Sequence, residues 1–199
     1  MKQIVLTSYN PSKVLQIQTL FGDSSVRVCT QEEVGVVGEA LEDGSTLEEN
    51  ARKKIVFARA QLPNAWLMAD DTGLFIDALG GEPGIQAAYW GGENLSVEER
   101  MQHCLKSLTG FTDRRATFRT TVVVSSPTGE EWVFVGEVPG SLLEMPRVAP
   151  QPKMPYSALF VPEGDTRSWA EMTTEEENTL SHRGKAFRAV LAFLETVDQ

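Results

Sequence analysis

Apolar positions along the chain alternate between the two-residue spacing of strands and the three-to-four-residue spacing of helices. The opening "KQIVLTSYN" carries a short apolar strand, Ile4 to Leu6, and runs into "NPSKVLQIQTLFG". There Asn10 can cap a helix, Pro11 suits its first turn, and Val14, Ile17, Leu20 and Phe21 share one face before Gly22. "VRVCT" reads as a second strand. After an acidic, Gly-containing loop, "STLEENARKKIVFARAQL" predicts a helix with a Thr46/Glu49 capping box and Leu47, Ala51, Ile55 and Ala58 at helical spacing. A strand, Trp66 to Asp70, follows, then the turn cluster "LGGEPG". Ser96 and Glu99 form another capping box ahead of Val97, Met101, Leu105 and Leu108. "RATFRTTVVVSSPTGEEWVFVGEV" has the pattern of a long β-hairpin turning at Ser126–Gly129. A Pro-rich stretch with one short strand, Ala158 to Val161, precedes a C-terminal helix whose buried stripe is Phe187, Val190, Leu191, Leu194 and Val197. Interleaved strands and helices with an attached antiparallel hairpin place the fold in the α/β class.

The 199 residues are enough for one domain, 1–199, in one or two lobes, with a real core. No apolar run approaches the roughly 20 residues that cross a bilayer, and the N-terminus turns polar too soon for a secretory signal. Cys29 and Cys104 are the only cysteines, which argues against a disulfide framework. These features predict a cytoplasmic protein with no membrane partner. A formal net charge of −10 disfavours wrapping a nucleic-acid backbone. It leaves room for a nucleotide, which needs only a local set of donors and a divalent cation held by acids.

The densest candidate chemistry is "WLMADDTGLFID", Trp66 to Asp77, where two adjacent carboxylates interrupt an apolar run. Neighbouring side chains on a strand face opposite ways, so a doublet inside a strand points one aspartate at the core. If the strand ends at Ala69, Asp70 and Asp71 lie instead in its exit loop, where open α/β sheets bind ligands. There the pair can hold Mg²⁺ or simply cap a turn. The "TSYNPSK" turn brings a helix N-terminus together with Ser8, Asn10 and Lys13, which suits an anion; an ordinary capped βα loop fits equally. Glu42 sits in a loop from which it can reach a metal, whereas Glu49 already has its capping role. In "SHRG", His182 and Arg183 at a helix start can donate to phosphate or to a base, or be a solvated first turn.

Taken in order and spacing, "LTSYNPSK", "EDGSTLEENARKK", "ADDTGLFIDALGGEPG", "RRATF", "FVGEVPG", "FVPEG" and "AEMTTEEENTLSHRGKA" resemble the inosine triphosphate pyrophosphatase family across nearly the whole chain. The resemblance implies an elongated two-lobed α/β fold, with a long mixed sheet, flanking helices and a central cleft, assembled as a homodimer. It also implies Mg²⁺-dependent hydrolysis of noncanonical purine triphosphates to a monophosphate and pyrophosphate. By position, Asp71 matches the catalytic carboxylate, and Glu42 and Asp71, with Asp70, match the metal-holding acids. Ser8, Asn10 and Lys13 match the triphosphate loop, and Thr72 stands where the family has Ser. His182 and Arg183 match residues near the base and phosphates.

The departures cluster at the base-recognition element. "PKMPYSALF", Pro152 to Phe160, keeps Tyr156 but has Ser157 for the family's Asp and lacks its glycines. Glu177 replaces a Lys, and Tyr89 stands in place of an Arg. With the metal and phosphate residues present, the expectation is hydrolysis with altered base preference. A nucleotide-binding sensor without catalysis is the competing expectation, and a purely structural adaptor the third.

Overall fold

The computed structural model describes residues 2–197. The chain runs β1 (Lys2–Leu6), α1 (Pro11–Phe21), β2 (Val26–Thr30), α2 (Leu47–Gln61), β3 (Trp66–Ile76), β4 (Pro83–Gly84), α3 (Val97–Ser107), β5 (Arg115–Ser125), β6 (Glu131–Leu142), β7 (Phe160–Pro162), α4 (Thr174–Leu180) and α5 (His182–Thr196). All strands join one seven-stranded mixed sheet in the order β2-β1-β3-β5-β6-β7, with β4 paired to β3. The first three strands of that order are parallel and the rest antiparallel.

Most predicted elements form where their caps and periodicity put them. Asn10 caps α1 and Gly22 ends it with φ at 43°. The Ser96/Glu99 capping box closes reciprocally. At Thr46 only half a box forms: its side chain accepts from Glu49 N, while the Glu49 carboxylate takes Ser45 N and Oγ. The hairpin turns at Ser126–Gly129, with Gly129 N donating to Ser126 O at 3.0 Å. Val197 is a correction: it lies beyond the last turn of α5 and is exposed, so the buried stripe stops at Leu194. Helix α4 was not legible, because "TEEENTL" buries only Glu177 and Asn178 and offers no apolar stripe.

The strand expected to end before or within the acidic doublet does not end there. β3 continues through Asp70 and Asp71 to Ile76, because β5 pairs with it at every residue from Leu67 to Ile76. The parallel partner β1 does stop, at the Leu6–Met68 register. Asp70 and Asp71 therefore lie just past the carboxyl end of the parallel half, yet inside the sheet. Strict alternation holds there. Even-numbered Met68 packs with α1 and α5, while Leu67 and Ala69 pack with α2. Asp70 is directed to the first layer and Asp71 to the second.

A third core, built on Leu74, Ile76, Phe118 and Phe160, extends the sheet away from α1 and α2. Helix α5 lies unusually close to β6. A Cβ built on Gly136 would stand 1.9 Å from His182 O and 2.7 Å from Ala186 N. Both are backbone atoms and cannot swing aside. Gly136→Ala is therefore expected to lower stability by about 1–3 kcal/mol, the range for overpacking, read as a fall in melting temperature by circular dichroism. An unchanged melting temperature would mean that α5 does not sit on β6 this closely.

Candidate active site

A cavity of about 440 Å³ opens between the β1–α1 loop, α2, β3 and the 153–157 segment. Its lining includes Ser8, Asn10, Lys13, Glu42, Asp71, Thr72, Tyr156, Ser157, His182 and Arg183, ten of the eleven residues singled out from the sequence. The eleventh, Asp70, is absent from the lining because its side chain is fully buried behind the wall.

The two aspartates have separate partners. Asp70 Oδ2 lies 2.8 Å from Lys13 Nζ on α1. Burial opposes its ionisation, but the cations Lys13, Arg183 and Lys54 outweigh burial and hold the carboxyl below its usual range. On the other face, Asp71 Oδ2 accepts from Asn50 Nδ2 at 3.0 Å, and Oδ1 lies 3.6 Å from Lys54 Nζ. Here burial prevails over Lys54 and Asn50, and the Asp71 carboxyl is pushed above the ordinary aspartate value. Lys54 also reaches Glu42 at 2.8 Å and the Asp70 carbonyl at 3.0 Å. Burial lowers its ammonium pKa, but three nearby carboxylates more than reverse that. Asp70 is thus not joined to Glu42 and Asp71 in one acidic set. Among the described residues, no three His, Cys, Asp or Glu side chains are placed to hold a metal ion.

The loop after β1 is fixed by Thr7 N donating to Met68 O at 2.9 Å and by Tyr9 OH reaching Val36 O at 3.0 Å. Asn10 Oδ1 accepts from Ser12 N and Lys13 N, so it holds the turn in shape. Ser8 Oγ accepts from Asn10 N at 3.2 Å. Thr72 Oγ1 shares a 2.7 Å hydrogen bond with Thr120 Oγ1 across the β3–β5 pair.

At the opposite end, the His182 ring stacks on Phe118, with centroids 4.7 Å apart and planes 10° from parallel. Burial and the nearby Arg183 and Lys13 push its pKa well below the ordinary value, so the ring is neutral at pH 7. Arg183 Nη1 donates to Gln16 Oε1, and Gln16 Nε2 donates to Ser181 Oγ at 3.3 Å. Tyr156 is buried with its hydroxyl donating to Ala87 O at 2.7 Å. Ser157 Oγ donates to Met154 O and accepts from Gln151 N. Glu177 does not face solvent; it is 5% exposed, lines the cavity and accepts from Gln151 Nε2 at 3.2 Å.

Sequence reasoning missed Asn50, Lys54, Gln16 and Gln151. A signal existed for the first two. Asn50 and Lys54 are i and i+4 on α2, within the stripe that buries Leu47, Ala51, Ile55 and Ala58. Polar residues in an apolar stripe need partners. Theirs is Asp71.

This arrangement places an ammonium–carboxylate cluster beside a helix N-terminus at one end of a cleft and a flat aromatic pocket at the other. The sequence profile described as the Ham1 family matches residues 4–193. A Bdellovibrio bacteriovorus protein named dITP/XTP pyrophosphatase is 35% identical over 199 residues, 98% of this chain and 99% of its own. The solved Staphylococcus aureus Ham1 protein is 36% identical, with a TM-score of 0.81 over 98% of both chains. That of Coxiella burnetii is 31% identical, with a TM-score of 0.86 over 98% of this chain and 99% of that one. Alike in sequence and in backbone along nearly its full length, the chain belongs to the Ham1 family.

Proposed function

We propose that this protein is a nucleoside triphosphate pyrophosphatase that converts noncanonical purine triphosphates to monophosphate and pyrophosphate, clearing them from the nucleotide pool. The relatives named dITP/XTP pyrophosphatase support that reading. The observation that carries it is Asp71, a carboxylate of raised pKa in a cleft between cations and an aromatic pocket. Such a group is suited to take a proton from water. In this reading Asp71 orients and deprotonates the attacking water, with Asn50 fixing one of its oxygens. Lys54 offsets charge developing near the reacting phosphoryl group. Ser8, Lys13 and Arg183 contact the triphosphate, with Asn10 shaping their loop, and the base enters between Tyr156, Ser157 and His182.

Magnesium belongs to the same proposal. Magnesium takes one or two protein carboxylates and completes its shell with phosphate oxygens and water. Glu42 and Asp71, already drawn to one ammonium, fit that demand; the enclosed Asp70 does not. When bound, the ion would neutralise phosphate charge and acidify a water. Location in the cytoplasm, expected from the sequence features, and assembly as a homodimer, taken from the family resemblance, are parts of this proposal, and light scattering at twice the chain mass would support the latter.

Incubation with Mg²⁺ and a panel of triphosphates is expected to release pyrophosphate, at low KM for at least one inosine- or xanthosine-type nucleotide. Stoichiometric nucleotide binding with no release across the panel would establish the sensor reading, which the buried acid Glu177 favours.

A further inference from the structure

We propose that Lys153 is a specificity-determining residue of this cleft, whose ammonium donates to the 6-oxo group of the purine and so favours hypoxanthine- and xanthine-type triphosphates over adenine ones. The inference rests on the cavity being the nucleotide site and names the group that reads the base there.

The backbone singles out Lys153 first. Met154 N donates to Gln151 O at 3.0 Å and closes a tight turn over residues 151–154. Lys153 has φ at 58°, the one positive φ outside glycine among the described residues. A proline second and a positive φ third make the turn that ordinarily takes glycine at its third place. A Cβ is disfavoured there, and the exposed Lys153 side chain gains no burial in return. Such strain persists where the surroundings over-determine it, and it gathers at ligand sites. Here they do. Ser12 Oγ, on α1, donates to Pro152 O at 2.8 Å. Gln151 N donates to Ser157 Oγ at 2.8 Å, and Gln151 Nε2 to the buried Glu177 Oε2 at 3.2 Å. Glu177 thus serves the turn, and the turn holds Lys153 at the cavity it lines.

A count of donors then gives the lysine its task. The other cations of the lining are engaged: Lys13 with Asp70, Lys54 with Glu42 and Asp71, Arg100 with backbone carbonyls, Arg183 with Gln16. Lys153 has no hydrogen bond or ion pair among the described residues. The hydroxyls beside it are engaged too, Tyr156 with Ala87 O and Ser157 with Met154 O. The Trp169 and His182 nitrogens are enclosed and turn no donor to the cavity. A base oxygen arriving at this wall therefore finds its N–H from Lys153, which has three to give and no lone pair. A 6-oxo purine accepts that bond. A 6-amino purine sets N–H against N–H and loses it, which is the basis of discrimination.

The test compares inosine with adenosine triphosphate by pyrophosphate release with Mg²⁺, in the parent and in variants of matched melting temperature. Lys153→Met keeps an unbranched side chain without the charge. It is expected to lower the inosine-to-adenosine ratio of kcat/KM about tenfold, the low end for a hydrogen bond to a charged group. Lys153→Arg is expected to keep the ratio within about threefold of the parent's, since charge and donors remain. Ser12→Ala loosens the turn and is expected to narrow the ratio in the parent, yet to change it no further in Lys153→Met. That non-additivity separates a positioning role for Ser12 from general damage to α1. An unchanged ratio in Lys153→Met would overturn the proposal. So would an equal loss with both nucleotides, which would move the ammonium to the phosphates. If neither triphosphate is cleaved, the pyrophosphatase reading fails separately. Calorimetric binding of the two α,β-methylene analogues then reports the same ratio, with the same outcomes deciding.

Discussion

Asp71→Asn is expected to lower turnover by about 10²–10⁴-fold, the contribution of a positioned acid–base group, and yet to leave the protein as stable as before or more so. The two effects share one cause. Burial raises the Asp71 carboxyl pKa above its unfolded value despite Lys54 and Asn50. A group with a raised folded pKa binds its proton more tightly in the native state. Its favourable contribution is present below the unfolded value and is lost as pH rises through the folded one. At neutral pH the ionised carboxylate is therefore a strain on the fold. Asparagine removes that charge, can still accept from Asn50, and leaves Lys54 paired to Glu42 and the Asp70 carbonyl. A melting temperature equal to the parent's or a few degrees higher is expected near pH 7, with the gap closing towards pH 4. Near-normal turnover in Asp71→Asn would remove Asp71 from the chemistry, and a large stability loss would mean that burial does not dominate its environment.

The doublet also shows where sequence legibility ends. Elements with local signals formed as written: caps at Asn10 and Ser96, the glycine stop at Gly22, the turn at Ser126–Gly129. The cleft residues were found through motifs that carry their own spacing. The path of β3 was not readable, because a local view treats two buried charges as a break. What carries the strand through them is a partner some fifty residues away, β5, whose Val122 and Thr121 sit opposite Asp70 and Asp71. The charges are tolerated because two helices each supply a lysine from opposite faces of the sheet, Lys13 from α1 and Lys54 from α2. Pairings of that range leave no periodicity in the chain. Lys54 and Asn50 were recoverable in principle as polar residues on an apolar face, whereas Gln151 sits in an irregular turn with no pattern to break. The doublet stays inside the sheet, just past the carboxyl end of the parallel strands, with Asp71 on the cavity wall and Asp70 behind it.

Asp70→Leu is expected to have the opposite signature from its neighbour, a large loss of stability. The Asp70 carboxylate is wholly buried and pairs with Lys13, whose side chain is 13% exposed. The cations around Asp70 outweigh burial and lower its pKa, so its stabilisation is present above the unfolded value and is lost as pH falls through the folded one. Removing one partner of a buried pair leaves the other charged and enclosed, at about 3–5 kcal/mol. For a chain of this size that is roughly a 10 °C fall in melting temperature. Turnover falls too, because Lys13 loses the contact that holds it beside the phosphate loop. A double variant separates the causes. In Asp70→Leu with Lys13→Met, both charges are gone and apolar groups of similar volume fill the space, a change that is often neutral or stabilising. Most of the lost melting temperature is expected to return while turnover stays low, since the cleft now lacks a cation. Recovery of both would make Lys13 a structural residue only, and recovery of neither would mean that the pair fixes β3 against α1 by shape rather than by charge.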